Sequence, residues 1–300
     1  MSEIITISNG IIEAKFTTKG AELISLKHNG VERIWQGDVN IWNGHAPVLF
    51  PVCGGVKDDV IIVDGKKHDF KTKHGFVRNM EFEVASVEKT SCAFTIKDTE
   101  ETFKEYPYNF TFRILYKLSG DSLGVYYFIE NESNKDMYFN VGSHEAYALY
   151  GEMNEYSLEF SDNEGYIDNT LIKNRLLSHD IIPYKLNGNE LPLTYDIIDE
   201  IGEVVEGFLP NVSFVFEDIK SKRVNLNHNG TTVASIYFSD FAHMVVWMMK
   251  PGKYIAIEPW NGLPDYYDTD GVFETKRGID VVKKGECKTL YHSITFYDEI

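Results

Sequence analysis

The chain has 300 residues, 43% of them hydrophobic and 25% charged, and a formal net charge of −17. That balance supplies enough apolar material for a sizeable core, while the negative field disfavours nucleic acid and anionic membranes as partners. Three scattered cysteines (Cys53, Cys92, Cys287) form no CxxC pair, which argues against a disulfide scaffold or structural zinc site and for a reducing cytoplasm.

Taken in chain order, the sequence reads as strands and turns. The first ten residues carry neither a basic segment nor a long apolar core, so they do not resemble a signal peptide. Ile4 to Ile7 and Ile11 to Thr17 flank Asn9-Gly10, a pair that favours hairpins. Asn29-Gly30 repeats the device between Glu22–Lys27 and Glu32–Trp35, and Asp64-Gly65 repeats it between Ile61–Val63 and Lys66–His68. From Tyr108 to Leu118 the alternation is clear, with Phe110, Phe112, Ile114, Tyr116 and Leu118 on one face. Val125–Ile129, Val233–Phe238, Val245–Met249, Tyr254–Ile257 and Ser293–Phe296 continue the style. The longest apolar run, Met244 to Met249, is too short to span a bilayer. Helical periodicity is scarce, and Asn174 to His179 reads at most as one short helix. No linker or repeat interrupts the pattern, so residues 1–300 read as one all-β domain of antiparallel strands. A sheet that large must close or stack as a sandwich to hide its edges.

Three segments place titratable groups beside small or apolar residues. In Tyr254-Ile-Ala-Ile-Glu258-Pro259-Trp260 a carboxylate ends an apolar run. Half desolvation there would raise its pKa towards the range of a general base; the competing reading is a strand-end glutamate facing solvent. In Gly142-Ser143-His144-Glu145 the histidine ends an aromatic-rich strand, with glycine leaving room for a ligand. The alternative is a core histidine satisfied by backbone. In Lys73-His74-Gly75-Phe76-Val77-Arg78 the histidine has the same two readings. Arg78 would share its face in an extended segment, forking onto hydroxyls or a carboxylate, or making an ordinary surface ion pair. His68 and His228 fall in polar turns, and His243 is open. There is no strand-to-helix glycine loop for a nucleotide, no GxSxG and no HExxH.

Together these segments resemble the aldose 1-epimerase (galactose mutarotase-like) family in its shorter bacterial branch. The matching motifs are Trp35-Gln-Gly-Asp38, Ala46-Pro-Val-Leu-Phe-Pro51, His74-Gly-Phe-Val-Arg78, Tyr106-Pro107, Gly142-Ser-His144, Ile257-Glu-Pro-Trp260 and Ser293-Ile-Thr-Phe296. The resemblance implies a large antiparallel β-supersandwich with the site on its concave face. It implies Glu258 as catalytic base and His144 as catalytic acid, with His74 holding the sugar and Asp240 binding a hydroxyl. Arg78 and Trp260 are further substrate-binding candidates, and Trp260, Phe50 or Tyr147 would stack on the sugar's C–H face.

The chemistry agrees with the resemblance. Interconverting anomers needs a base for the anomeric hydroxyl and an acid for the ring oxygen. No electrons move, so no cofactor is expected; the expected partner is a small sugar, with the protein a monomer or homodimer. Two departures stand out. Gly55 occupies a position where relatives commonly carry an arginine, and Glu145 follows His144 where proline is usual. Glu145 should point away from the site, yet its charge would favour a protonated His144. The leading expectation is an isomerase, a cofactor-free aldose mutarotase. The alternatives are a carbohydrate-binding or sensing protein on the same scaffold, motivated by Gly55, and a metal-dependent sugar isomerase using His74, His144, His243 and Glu258.

Overall fold

The computed structural model describes residues 2–164, 166–173, 175–202 and 209–298. Antiparallel strands dominate. The largest sheet has nine, in the order Glu190–Pro192, Tyr156–Phe160, Arg223–His228, Thr231–Tyr237, Cys287–Phe296, Ser122–Asn131, Phe110–Ser119, Ser91–Lys97 and Glu83–Glu88. A four-stranded sheet packs against it, ordered Glu145–Ala148, Tyr254–Trp260, His243–Met249, Asn211–Phe216. A second four-stranded sheet is built from the N-terminal strands Ile4–Ser8, Ile12–Thr17, Leu23–His28 and Val31–Glu32.

The alternation read between Tyr108 and Leu118 produces the core. Phe110, Phe112, Ile114, Tyr116 and Leu118 are all buried in one apolar core, where the Tyr116 ring meets Phe16 of the N-terminal sheet at 4.3 Å. Phe50 stacks on Phe112 with ring centroids 4.6 Å apart. Phe50 therefore belongs to the core, not to a sugar platform. Tyr147 is likewise buried and packs towards Phe296 of the nine-stranded sheet.

Hairpin chemistry sets the registers. Asn29-Gly30 and Asp64-Gly65 both hold two successive positive φ angles, the backbone of a tight two-residue turn. Asn9-Gly10 differs. The Asn9 side chain accepts the N–H groups of Ile11 and Ile12, so the loop is longer and the second strand starts at Ile12. The strand expected over Glu32–Trp35 shrinks to Val31–Glu32 because Trp35 leaves it to donate its N–H to Ala146 O.

One expectation fails. The segment expected as a helix lies instead in strand Leu176–Lys185, paired with Tyr166–Lys173; Asn174 itself lies outside the described residues. A helix that short has little stability of its own, whereas the strand gains a ladder and buries Leu177 against Trp260 and Val245. Among the described residues the two α-helices are Glu100–Glu105 and Tyr195–Ile201, each capped by a threonine, Thr99 and Thr194. Among the described residues no helix is long and apolar enough to cross a membrane.

Candidate active site

The four-stranded sheet places the site through its register. Glu145 pairs with Ile257, so one step further along the antiparallel ladder His144 stands opposite Glu258. Successive side chains alternate faces. Glu258 and His144 consequently share the outer face, while Glu145 and Ile257 point into the core. Glu258 Oε2 lies 3.4 Å from His144 Nε2. Glu258 is 1% exposed and His144 8%, and both line a cavity of about 1500 Å³.

Burial favours the neutral form of both partners. Burial raises the Glu258 pKa well above the ordinary carboxylate range; Lys73 opposes the shift and the charge of Glu145 adds to it. Burial lowers His144 to about 3, with Lys73 and Arg78 adding to the effect. The expectation that Glu145 would favour a protonated His144 is thus reversed, because desolvation and nearby cations prevail. The charge of Glu145 acts on Glu258 instead. Its own side chain points away from the cavity, 3.1 Å from His292 Nε2.

His74 stands beside the pair, its ring edge-on to His144 at 5.6 Å and to Trp260 at 5.5 Å. Its Nδ1 accepts the Gly54 N–H at 3.0 Å, and its own N–H donates to Gly54 O at 2.7 Å. Accepting at Nδ1 fixes the tautomer, leaving Nε2–H as a donor. Burial lowers the His74 pKa well below its usual value, followed by the effect of Lys73. The residue also holds φ +66°, a strained backbone of the kind that persists at functional sites.

Trp260 lines the cavity and donates Nε1–H to Ser143 O at 3.1 Å. Gly142 leaves no room for a ligand, contrary to expectation. A Cβ there would meet Trp260 Cδ1 at 2.6 Å and Cys53 Sγ at 3.1 Å, so the space holds the tryptophan. Arg78 lines the same cavity but lies in the short 3-10 turn Val77–Asn79, not in an extended segment alongside His74. Asp240 is not brought to the site. It is exposed in a turn and accepts the Tyr291 N–H at 2.9 Å. His243 pairs with Asp218 and accepts its N–H away from the Glu258–His144 pair. Among the described residues no three His, Cys, Asp or Glu side chains converge to hold a metal.

Three site residues escaped the sequence reading. Trp42 stacks on His144 with centroids 5.2 Å apart and an interplanar angle of 24°, and Trp247 meets Trp42 edge-on at 5.2 Å. Both are half-buried and line the cavity, so they and Trp260 present aromatic surface to it. Lys73 is the cation whose charge bears on His74, His144 and Glu258 together. Trp247 was legible in principle: it alternates with Val245, which pairs with Glu258.

Comparison with known proteins bears on the family and the fold. The family model described as Aldose 1-epimerase matches residues 3–289. The plasmid-encoded LacX protein of Lactococcus lactis subsp. lactis is 32% identical over 305 residues, covering 97% of this chain and 98% of that protein. A galactose mutarotase related enzyme from Lactobacillus acidophilus superimposes with a TM-score of 0.88 at 28% identity, covering 99% of both chains. A galactose mutarotase-like protein from Lactobacillus casei ATCC 334 gives 0.86 at 26% identity, covering 98% of this chain and 100% of that one. The chain belongs to the aldose 1-epimerase family.

Proposed function

We propose that the protein is a mutarotase that interconverts the α and β anomers of a hexose or related sugar by acid–base ring opening. The observation that carries this reading is the buried contact of Glu258 with His144, 3.4 Å apart at the cavity floor. Glu258 takes the proton of the anomeric hydroxyl while His144 protonates the ring oxygen. The C1–O5 bond breaks, the aldehyde end rotates, and the reverse transfers close the ring on its other face. Each group therefore serves once as acid and once as base.

A pair holding one proton between two sites suits that exchange. In the resting site burial favours the protonated form of Glu258 and the neutral form of His144. The sugar's hydroxyls, with Lys73 nearby, resolvate the carboxylate and let the proton pass to His144. Positioned acid–base groups of this kind contribute about 10²–10⁴-fold. His74 Nε2–H and Arg78 donate to sugar oxygens, and Trp42, Trp247 and Trp260 pack against its C–H face. We place this activity in the cytoplasm, without a cofactor.

The test is anomer exchange followed by polarimetry and magnetization-transfer NMR over a panel of aldoses. Wild type should accelerate exchange, and Glu258→Gln and His144→Ala should each abolish the acceleration in folded protein. Undiminished exchange by the Glu258→Gln protein sinks the assignment. Saturable binding without acceleration for any sugar would replace it with a sugar-binding role.

A further inference from the structure

Gly55 and Arg175 occupy one place in the molecule. Arg175 sits in the turn between Tyr166–Lys173 and Leu176–Lys185 with φ +69°, a backbone that arginine adopts only at a cost. A Cβ on Gly55 would lie 2.9 Å from Arg175 O and 3.0 Å from Arg175 Cβ. The turn can therefore seat there only because residue 55 has no side chain.

Two backbone hydrogen bonds hold it in place. Leu177 N–H donates to Asp265 O at 2.8 Å, and Asp265 N–H donates to Gly55 O at 3.0 Å. Leu177 is also buried in the apolar cluster containing Trp260 and Val245. The turn is thus anchored to the strand that carries Glu258. Arg175 is exposed and lines the cavity together with His144, Glu258 and Trp247. Among the described residues no carboxylate pairs with its guanidinium, although the chain has 46 Asp and Glu residues against 29 Lys and Arg.

We infer that Arg175 is a substrate-gripping residue, delivered over Gly55 by the hairpin turn to bind sugar oxygens remote from the anomeric carbon. A guanidinium offers five N–H donors and no acceptor, so what it takes from the cavity is an oxygen-rich ligand. The inference rests on the cavity being a sugar site but not on turnover.

The experiment measures binding and exchange separately, with D-galactose and D-glucose as probes. Calorimetry and tryptophan fluorescence give affinity; NMR gives KM and kcat. Loss of a charge-assisted contact predicts a roughly tenfold or greater weakening in Arg175→Ala, with KM rising more than kcat falls. Arg175→Lys, which keeps the charge and the backbone, should recover part of the affinity. Gly55→Ala, which displaces the turn, should reproduce the loss, and the double variant should lose no more than the worse single one. Wild-type affinity in Arg175→Ala, or losses that add fully in the double variant, overturns the inference. Binding intact but without exchange overturns only the mutarotase reading, and wild-type protein that binds neither sugar overturns both.

Discussion

The carboxylate of Glu145 and the imidazole of His292 meet 3.1 Å apart between the two sheets, on the core side of the strand Glu145–Ala148 that pairs with the Glu258 strand. Both side chains are buried, and among the described residues Glu145 Oε2 and His292 Nδ1 have no hydrogen-bond partner. Glu145 raises the Glu258 pKa from behind. Glu145→Gln should therefore move the alkaline limb of the exchange rate to lower pH, because Glu258 then gives up its proton more readily. The Gln side chain keeps an acceptor for His292, so the fold should survive. Glu145→Ala should instead destabilise the protein by about 1–3 kcal/mol, leaving a buried ring nitrogen unpaired. A pH–rate profile and urea unfolding separate the two effects.

The pH dependence of the pair has a definite sign. The proposed exchange needs one proton on Glu258 and His144 together. It should fall on the alkaline side as the raised Glu258 carboxyl ionises, and on the acid side only near pH 3, where His144 would take a second proton. Stability follows the same groups. For Glu258, whose folded pKa lies above 4.5, the favourable contribution is full below 4.5 and is lost as pH rises through the folded value. For His144 it is full above 6.5 and is lost as pH falls towards 3. Glu258→Gln should then be inactive yet melt higher than wild type at neutral and alkaline pH. A melting temperature unchanged across that range would show that the carboxylate carries no burial cost.

Much of this was legible because strand physics has period two. The buried face from Phe110 to Leu118, the hairpin glycines, and the inward turn of Glu145 all follow from alternation and turn chemistry. Glu258, His144, His74, Arg78 and Trp260 come to one cavity. What stayed hidden depends on tertiary neighbours. Asp240 sits beside aromatic residues in sequence but is turned outward to the Tyr291 N–H. Phe50 and Tyr147 were plausible platforms until the core closed over them. The Gly55–Arg175 contact joins segments with no shared pattern. The neutral state of His144 depends on burial and on Lys73, and alternation reports neither.

Trp42 stacks on His144 and also meets Trp247 edge-on, so under the proposed mechanism it would both orient the acid and offer a face to the sugar. Aromatic contacts of this kind are worth about 0.5–1.5 kcal/mol. Trp42→Ala should raise KM by roughly two- to tenfold on that basis, and kcat should fall as well, because the imidazole loses its support. Trp247→Ala, which does not stack face to face on the ring, should change KM more than kcat. Equal effects on kcat from both variants would mean that stacking does not position His144.

Lys276 and Asp265 form a buried ion pair, Nζ to Oδ1 at 2.6 Å, with side chains 4% and 5% exposed. Asp265 Oδ2 accepts the Lys57 N–H at 2.9 Å, and the Asp265 N–H reaches Gly55 O. Burial pulls the Lys276 pKa down while Asp265 pulls it up, so the ammonium persists because its partner is present. Lys276→Met would leave the carboxylate buried without its cation and should cost about 3–5 kcal/mol in urea unfolding. Adding Asp265→Leu should restore most of that loss, since replacing both members with apolar groups is often neutral or better. If the double variant is as unstable as the single one, the lost bond from the Lys57 N–H to Asp265 Oδ2 outweighs the relief of removing both charges.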